Sequence, residues 1–280
     1  MIIWLASYPK SGNTLLRSIL STYFFSNDGN FKFQHLYKIR QFPAVEHFKN
    51  LGINTLDEEE VFKNFLEAQK KINSDDIRVK FFKTHSSLCK MYNCNFTDEK
   101  NTLGAIYIVR DPRNVVTSFA HHYNLNIDDA TTAMLDENRY LVKTDEMQRS
   151  YLGSWKFNFN SWKKWDEKNK YLLVRYEDLV EKKKTVLIKI FKFLKSLGAI
   201  KNELNMPKLN KTIKSTEFYK MKRMEKIETF HESIVDNETG KRKDFFNLGP
   251  KNNWRQILDD RNREKLENTF KDEMNELGYI

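Results

Sequence analysis

Tyr8-Pro9-Lys10-Ser11-Gly12-Asn13-Thr14 is the stretch that decides the fold, because it lies between a strand-like and a helix-like segment. Ile2 to Ala6 before it form a continuous apolar run of strand length, and from Leu15 to Phe24 the apolar residues recur at helical spacing. A strand that turns through a glycine into a helix directs free backbone N–H groups and the positive end of the helix dipole at one point. The stretch therefore predicts a phosphate-binding turn, to which its lysine, serine and threonine add a cation and two hydroxyl groups.

The turn differs from the Walker phosphate loop, which requires Gly, four residues and then Gly-Lys-Ser/Thr. Here Lys10 precedes Gly12, the only glycine of the turn, and no acidic residue suited to magnesium is evident nearby. A strand-to-helix turn with proline and glycine also occurs without any ligand. The turn alone therefore leaves a purely structural role open.

The same turn resembles the 5′-phosphosulfate loop of the cytosolic-type PAPS-dependent sulfotransferases, where PAPS is 3′-phosphoadenosine 5′-phosphosulfate. The usual form in that family is Tyr-Pro-Lys-Ser-Gly-Thr-Thr-Trp, from which this chain departs at Asn13 and Leu15. The resemblance implies that PAPS is the donor and that its product, PAP, is the 3′,5′-bisphosphate. It implies donor contacts for Lys10, Ser11, Gly12, Asn13 and Thr14.

The length and apolar content permit one sizeable domain, and the net charge favours acidic ligands. The chain has 280 residues, of which 40% are hydrophobic, and a formal net charge of +10. A basic balance suits nucleotides, phosphorylated or sulfated sugars, nucleic acid and anionic membranes. The two cysteines, Cys89 and Cys94, are too few for a structural zinc site. We expect no metal, no membrane span and a soluble, cytoplasmic protein.

Strand-like runs alternate with helix-like stretches along the chain, as is typical of an α/β fold. The pattern predicts a mostly parallel central sheet flanked by helices on both faces, in a single P-loop-like domain covering residues 1–280. In such sheets ligands lie at the carboxyl ends of the strands. The predicted strands are 2–6, 78–83, 103–109 and 171–174, and the clearest predicted helices are 57–72, 187–197 and 259–277.

A second motif, Lys83-Thr84-His85, follows the second predicted strand. A lone histidine is more often structural than catalytic, but its ordinary pKa suits proton transfer near neutrality. The resemblance to the sulfotransferases implies that His85 is the base that deprotonates the acceptor hydroxyl. It also implies that Lys83 stabilises the transferring group.

A third motif begins at Arg110 and ends at Ser118, after the next predicted strand. A guanidinium and a hydroxyl could hold a phosphate together, although a surface arginine and an ordinary helical serine are the default explanation. The spacing of Arg, seven residues and Ser is similar to the 3′-phosphate motif of the family. The resemblance implies that Ser118 binds this phosphate with Arg110 and restrains Lys10 until the acceptor arrives.

Three weaker matches concern the adenine. Gly153-Ser154-Trp155 resembles a family helix, so that Trp155 could stack on the base, whereas core packing is preferred for Trp162. Tyr176 begins a Tyr-Glu-Asp sequence whose tyrosine contacts adenine in the family. Thr216 and Phe218 loosely resemble a Thr-Ser-Phe sequence that lines the nucleotide.

The last motif, Asn247 to Arg255, shows the largest departure from the family. Gly249 and Trp254 keep the spacing of its Arg-Lys-Gly-x-x-Gly-Asp-Trp-Lys loop, but Asn247 and Leu248 replace the Arg-Lys pair. Two interpretations stay open: the 3′-phosphate clamp is weaker than in the family, or Lys251 and nearby Arg242 substitute in it.

The combined interpretation is a sulfotransferase that moves a sulfuryl group from PAPS to a hydroxyl of a small-molecule or carbohydrate acceptor. His85 acts as base, Lys10 neutralises the bridging oxygen as PAP leaves, and Lys83 stabilises the group in transit. Two alternatives stay open, a nucleotide-dependent kinase and a catalytically inactive nucleotide-binding protein. Binding of nucleic acid is disfavoured because aromatic residues are not interleaved with the basic runs. The sequence identifies neither the acceptor nor the oligomeric state.

Overall fold

Five strands pair in parallel to form the central sheet of the computed structural model, which describes residues 1–74, 80–228, 230, 232–233, 240 and 242–280. The strands of this sheet, in chain order, are β1 (Ile2–Ala6), β2 (Arg40–Gln41), β3 (Lys80–Thr84), β6 (Thr102–Val109) and β9 (Tyr171–Arg175), and their order in space is β2-β3-β1-β6-β9. Two antiparallel pairs lie outside it: β4 (Lys90–Met91) with β5 (Cys94–Asn95), and β7 (Tyr140–Leu141) with β8 (Ser150–Tyr151).

The helices cover both faces of the sheet, because the strands are apolar on both sides. In chain order they are α1 (Asn13–Phe25), α2 (Val45–Lys49), α3 (Glu58–Lys63), α4 (Phe65–Ser74), α5 (Pro112–Tyr123), α6 (Ile127–Leu135), α7 (Trp155–Lys163), α8 (Tyr176–Glu181), α9 (Lys183–Ser196), α10 (Met206–Ser215), α11 (Phe218–Ile227), α12 (Asp260–Thr269) and α13 (Lys271–Glu276). Ile3 and Leu5 of β1 pack towards α1 and α9, whereas Trp4 packs in the cluster that contains α5 and α7. The predicted α/β fold with a parallel sheet is confirmed.

Several element boundaries differ from those predicted. The helix predicted over 57–72 is interrupted at Asn64, and that over 259–277 at Phe270, so each is a pair of helices. Strand β2 was not predicted, because two residues are too few to show a period. Residues 78 and 79 of the second predicted strand lie outside the described residues.

The strand register brings the motifs to one edge of the sheet. Ala6 at the end of β1 pairs with Thr84 of β3 and with Tyr107 of β6, and Val109 pairs with Arg175 of β9. Because these carboxyl ends are level, the segments that follow them converge. They line a cavity of about 630 Å³.

Candidate functional site

The turn after β1 has the geometry of an anion cradle. Its backbone is left-handed at Lys10 (φ 66°) and at Gly12 (φ 101°), which precedes α1. The helix begins with the bond from the Leu16 N–H to the Gly12 carbonyl, so the preceding amides of the first turn have no intrahelical acceptor. A Cβ atom at Gly12 would lie 2.4 Å from the ring of Tyr176. Glycine is therefore required both for the conformation and for the close approach.

Asn13 holds this turn against β1. Its Nδ2 donates to the carbonyl of Leu5 at 2.9 Å and to Oγ of Ser7 at 3.1 Å. The structure thus gives Asn13 a positioning role at the edge of the cavity. The Ser11 side chain is fully buried and does not line the cavity, so its donor contact stays a prediction.

His85 lies just beyond β3, with one ring nitrogen fixed. Its Nδ1 is 2.8 Å from the carbonyl oxygen of Ser7, and a carbonyl only accepts, so Nδ1 carries the proton. Nε2 is then the basic nitrogen, and the ring lines the cavity. Burial, with the nearby charge of Lys83, lowers the pKa of His85 to about 3. The imidazole is therefore neutral at physiological pH and can accept a proton.

A carboxylate lies among the cations beside His85. Glu232 accepts from Oγ1 of Thr14 at 2.8 Å and from Nζ of Lys83 at 3.2 Å, and it forms an ion pair with Arg17. Burial disfavours ionisation of Glu232, but the charges of Lys83 and Arg17 outweigh it and hold the pKa of the carboxyl below its usual range. Thr14 and Lys83 are two of the predicted donor contacts, so an anionic group already sits between them.

Arg17 is fixed behind this cluster. Its guanidinium also donates to the carbonyls of Leu36 and Ile39 at 3.2 and 3.1 Å. Because the side chain is buried, Arg17 places a permanent positive charge beside Lys83. Burial in turn lowers the pKa of Lys83, despite the opposing charge of Glu232.

Lys10 lies against an aromatic ring of the loop that covers the site. Its Nζ is 4.2 Å from the centroid of Phe245. Burial lowers the pKa of Lys10 to about 7, although the negative charge of Glu232 acts to raise it. In the described part of the chain, no hydrogen bond joins Lys10 to Ser118.

Arg110 connects the cradle to the strand at the far edge of the sheet. Its Nη1 donates to the carbonyl of Lys10 at 3.3 Å, and its guanidinium carbon is 4.4 Å from the centroid of the Tyr176 ring. Its Nε is buried without a partner among the described residues. Arg110, Ser118 and Tyr176 line the same cavity, as the sequence predicts.

The loop around Gly249 is attached to α5. Oγ1 of Thr117 and the carbonyl of Asn114 bond the Asn252 side chain at 3.0 and 2.9 Å. Phe218 and Gly249 both line the cavity, and they are in such close contact that a Cβ at Gly249 would lie 2.2 Å from the Phe218 ring.

Three residues that were predicted to contact the nucleotide do not line the cavity. Thr216 is fully buried and its Oγ1 donates to the Thr212 carbonyl, because the residue ends α10 instead of facing the cavity. Lys251 is exposed, with its ammonium 5.8 Å from the Tyr219 ring, and does not line the cavity. Trp155 is fully buried against Phe270, so it is a core residue like Trp162. The nucleotide contacts of Thr216 and Lys251 therefore stay predictions without support from the cavity lining.

Arg17, Glu232 and Lys183 are site residues that the sequence analysis missed. A signal existed for Arg17, since it follows Thr14 by three residues and so lies on the same face of α1. Lys183 lines the cavity at the start of α9, where burial lowers its pKa. Glu232 belongs to no motif, and only the tertiary structure brings it to Lys83.

The remainder of the cavity is mainly apolar and lies towards β2 and β3. Phe42, Tyr123, Leu141 and Met147 line it. His122 also lines the cavity, beside the Phe245 ring, and burial lowers its pKa to about 3, so that the ring is uncharged.

Two negative observations concern the described residues. No group of three or more His, Cys, Asp or Glu side chains in that part of the chain is arranged to hold a metal ion. No helix there is both long and apolar enough to cross a membrane.

Comparisons of sequence identify a family. A model of the sulfotransferase domain matches residues 2–278. Amine sulfotransferase of Oryctolagus cuniculus is 21% identical over 279 residues, which cover 97% of this chain and 80% of that protein. Luciferin sulfotransferase of Photinus pyralis is 25% identical over 231 residues, which cover 79% of this chain and 56% of that protein.

Comparisons of structure agree with the fold. The superposition on mouse sulfotransferase SULT7A1 complexed with PAP gives a TM-score of 0.60 at 20% sequence identity. It covers 98% of this chain and 84% of the mouse protein. The superposition on retinol dehydratase in a complex with retinol and PAP gives a TM-score of 0.61 at 17% sequence identity. It covers 98% of this chain and 81% of the retinol dehydratase chain. The chain shares the fold of both proteins.

Proposed function

Because the matching domain extends over residues 2–278, this chain belongs to the sulfotransferase family, and we propose that it transfers a sulfuryl group from PAPS to an acceptor hydroxyl. The observation that carries the proposal is the single cavity lined by the cradle, Lys83, His85, Arg110 and Ser118. We propose further that residues 1–280 act as one domain.

The donor would bind across the cradle. The free amides before Leu16, with Thr14 and Lys10, would hold the 5′-phosphosulfate at the start of α1. Arg110 and Ser118 would hold the 3′-phosphate, since the guanidinium is already fixed between the Lys10 carbonyl and the Tyr176 ring. Tyr176 and Phe218 would flank the adenine.

The acceptor would react at the His85 side of the cavity. As the acceptor oxygen bonds to sulfur, its proton passes to Nε2 of His85, and the bond from sulfur to the bridging oxygen breaks. Lys10 would neutralise the charge that develops on that oxygen as PAP leaves. Lys83 would contact the non-bridging oxygens of the sulfuryl group, after its pairing with Glu232 yields to the donor.

Transfer of label tests this proposal. The protein is incubated with PAPS labelled in the sulfuryl group and with a panel of phenols, alcohols and sugars, and we expect label on a hydroxyl compound only when the protein is present. A parallel reaction contains γ-labelled ATP and magnesium. Phosphoryl transfer without sulfuryl transfer would replace the proposal with the kinase alternative. PAP binding with no transfer to any acceptor class would favour the inactive nucleotide-binding protein.

A further inference from the structure

Arg139 brings a positive charge to the part of the cavity that the donor does not use. In the sheet order, Arg110 and Tyr176 follow β6 and β9, whereas Phe42 and Pro43 follow β2 at the opposite edge. The backbone N–H of Gln148 donates to the Pro43 carbonyl at 2.9 Å, which places Gln148 at this second edge. Arg139 lies over Phe119 of α5, and both Arg139 and Gln148 line the cavity.

The guanidinium of Arg139 lies over an aromatic ring and, among the described residues, pairs with no carboxylate. It lies 5.3 Å from the centroid of the Phe119 ring, and its own backbone carbonyl accepts from Leu152 and Gly153. Its charge is close enough to oppose the rise in the pKa that burial causes at Tyr8 and Tyr123. Its Nε is buried and has no partner in the described part of the chain.

The neighbouring carboxylates are engaged elsewhere. Asp136 accepts from the backbone N–H of Asn138 at 2.8 Å, and Glu137 lies 4.0 Å from Nζ of Lys156. Neither forms an ion pair with Arg139 within the ranges that the structure describes. A cation that is not ion-paired with a carboxylate favours an anion in the cavity.

Gln148 adds a second donor. The side chain is 4% exposed, and its Nε2 is buried without a hydrogen-bond partner among the described residues. A buried amide N–H that lacks a partner costs free energy unless a ligand supplies an acceptor. Arg139 and Gln148 line the cavity together with apolar side chains such as Leu141 and Met147.

We infer that the acceptor carries an oxyanionic group, which Arg139 and Gln148 bind, on an apolar or aromatic body that ends in the reacting hydroxyl. This inference rests on the proposed function, because it specifies the acceptor of the same site. Phe42, Tyr123, Leu141 and Met147 would contact the apolar body. The anion would then be held at one end of the acceptor while the hydroxyl reaches His85.

A binding experiment tests the inference without turnover. The protein is saturated with PAP and titrated calorimetrically with 3-(4-hydroxyphenyl)propanoate and with its uncharged amide. We expect the carboxylate to bind about tenfold to a hundredfold more tightly, as for a hydrogen bond to a charged group. Arg139→Gln should remove this preference and leave the affinity for the amide nearly unchanged.

The control variant is Arg261→Gln, which removes the same charge from a side chain that is 79% exposed and outside the cavity lining. It should retain the preference. If PAP binds but the acid and the amide bind equally, or if Arg139→Gln keeps the preference, the inference is wrong and the proposed function stands. If PAP itself does not bind, the proposed function fails first.

Discussion

Replacing His85 with alanine is expected to lower the rate of sulfuryl transfer by about 100-fold to 10,000-fold, the usual contribution of a general base. The affinity for PAP should change little, because the proposed role concerns the acceptor proton. His35→Ala is the matched control, since His35 lies in the short 3₁₀ helix Phe33–Lys38 and outside the cavity lining. Near-normal turnover of His85→Ala at saturating acceptor would exclude the base assignment.

The pH dependence gives an independent check on the same residue. The pKa of His85 is lowered to about 3, so its neutral, proton-accepting form is present from above that pH and through neutrality. We therefore expect that kcat/KM for PAPS does not fall on the acidic side near the ordinary histidine pKa of about 6.5. The pKa of Lys10 is about 7, so its positive charge is present below this pH and is lost above it. The kcat/KM for PAPS should fall above pH 7, and an acidic limb near 6.5 would contradict the state assigned to His85.

Lys83 and Glu232 form an ion pair, and substitutions of the two residues are expected to have opposite effects: loss of Lys83 impairs the reaction, whereas loss of the Glu232 charge strengthens PAPS binding. Lys83→Met removes the cation assigned to the sulfuryl oxygens and should lower kcat by about 100-fold to 1,000-fold, as the loss of one oxyanion donor does. Glu232→Gln keeps the shape of the side chain but removes an anion that competes with the donor for Thr14 and Lys83. PAPS should then bind about tenfold more tightly, because a like charge beside it has been removed.

The expected result differs if the ion pair between Lys83 and Glu232 serves only to stabilise the structure. If Glu232 only stabilises the loop, Glu232→Gln should weaken PAPS binding and lower the melting temperature. Glu203→Gln is the charge-matched control, because the Glu203 side chain is 88% exposed and its ion pair is with the surface residue Lys195. Weaker PAPS binding in Glu232→Gln, with Glu203→Gln unchanged, would contradict the competition that we expect.

The fold was predictable because its main signals are local. Apolar runs of strand length, such as Ile2–Ala6, are each followed by a polar motif, and the parallel pairing of the strands brings these motifs together. His85 and Arg110 were found for this reason, since each lies one residue beyond a strand. The interruptions at Asn64 and Phe270 were missed because the apolar spacing continues across them.

The rest of the site depends on contacts between distant residues. Glu232 and Lys83 are separated by 149 positions in the sequence, and no periodic pattern predicts their contact. Arg139 is one of many arginines in a basic chain, and only the structure places its guanidinium over Phe119 beside the cavity. For Thr216, a loose match to a family motif does not reveal that its hydroxyl donates to a carbonyl of its own helix.

The most direct test of the central claim is calorimetric titration of the unmodified protein with PAP, with ADP as the control ligand. The two nucleotides differ in the position of the second phosphate, so their comparison isolates the site formed by Arg110 and Ser118. We expect PAP to bind about tenfold to a hundredfold more tightly than ADP, because a guanidinium would gain a charged hydrogen-bond partner. Equal binding, or a preference for ADP, would contradict the assignment of this cavity to a 3′-phosphorylated donor.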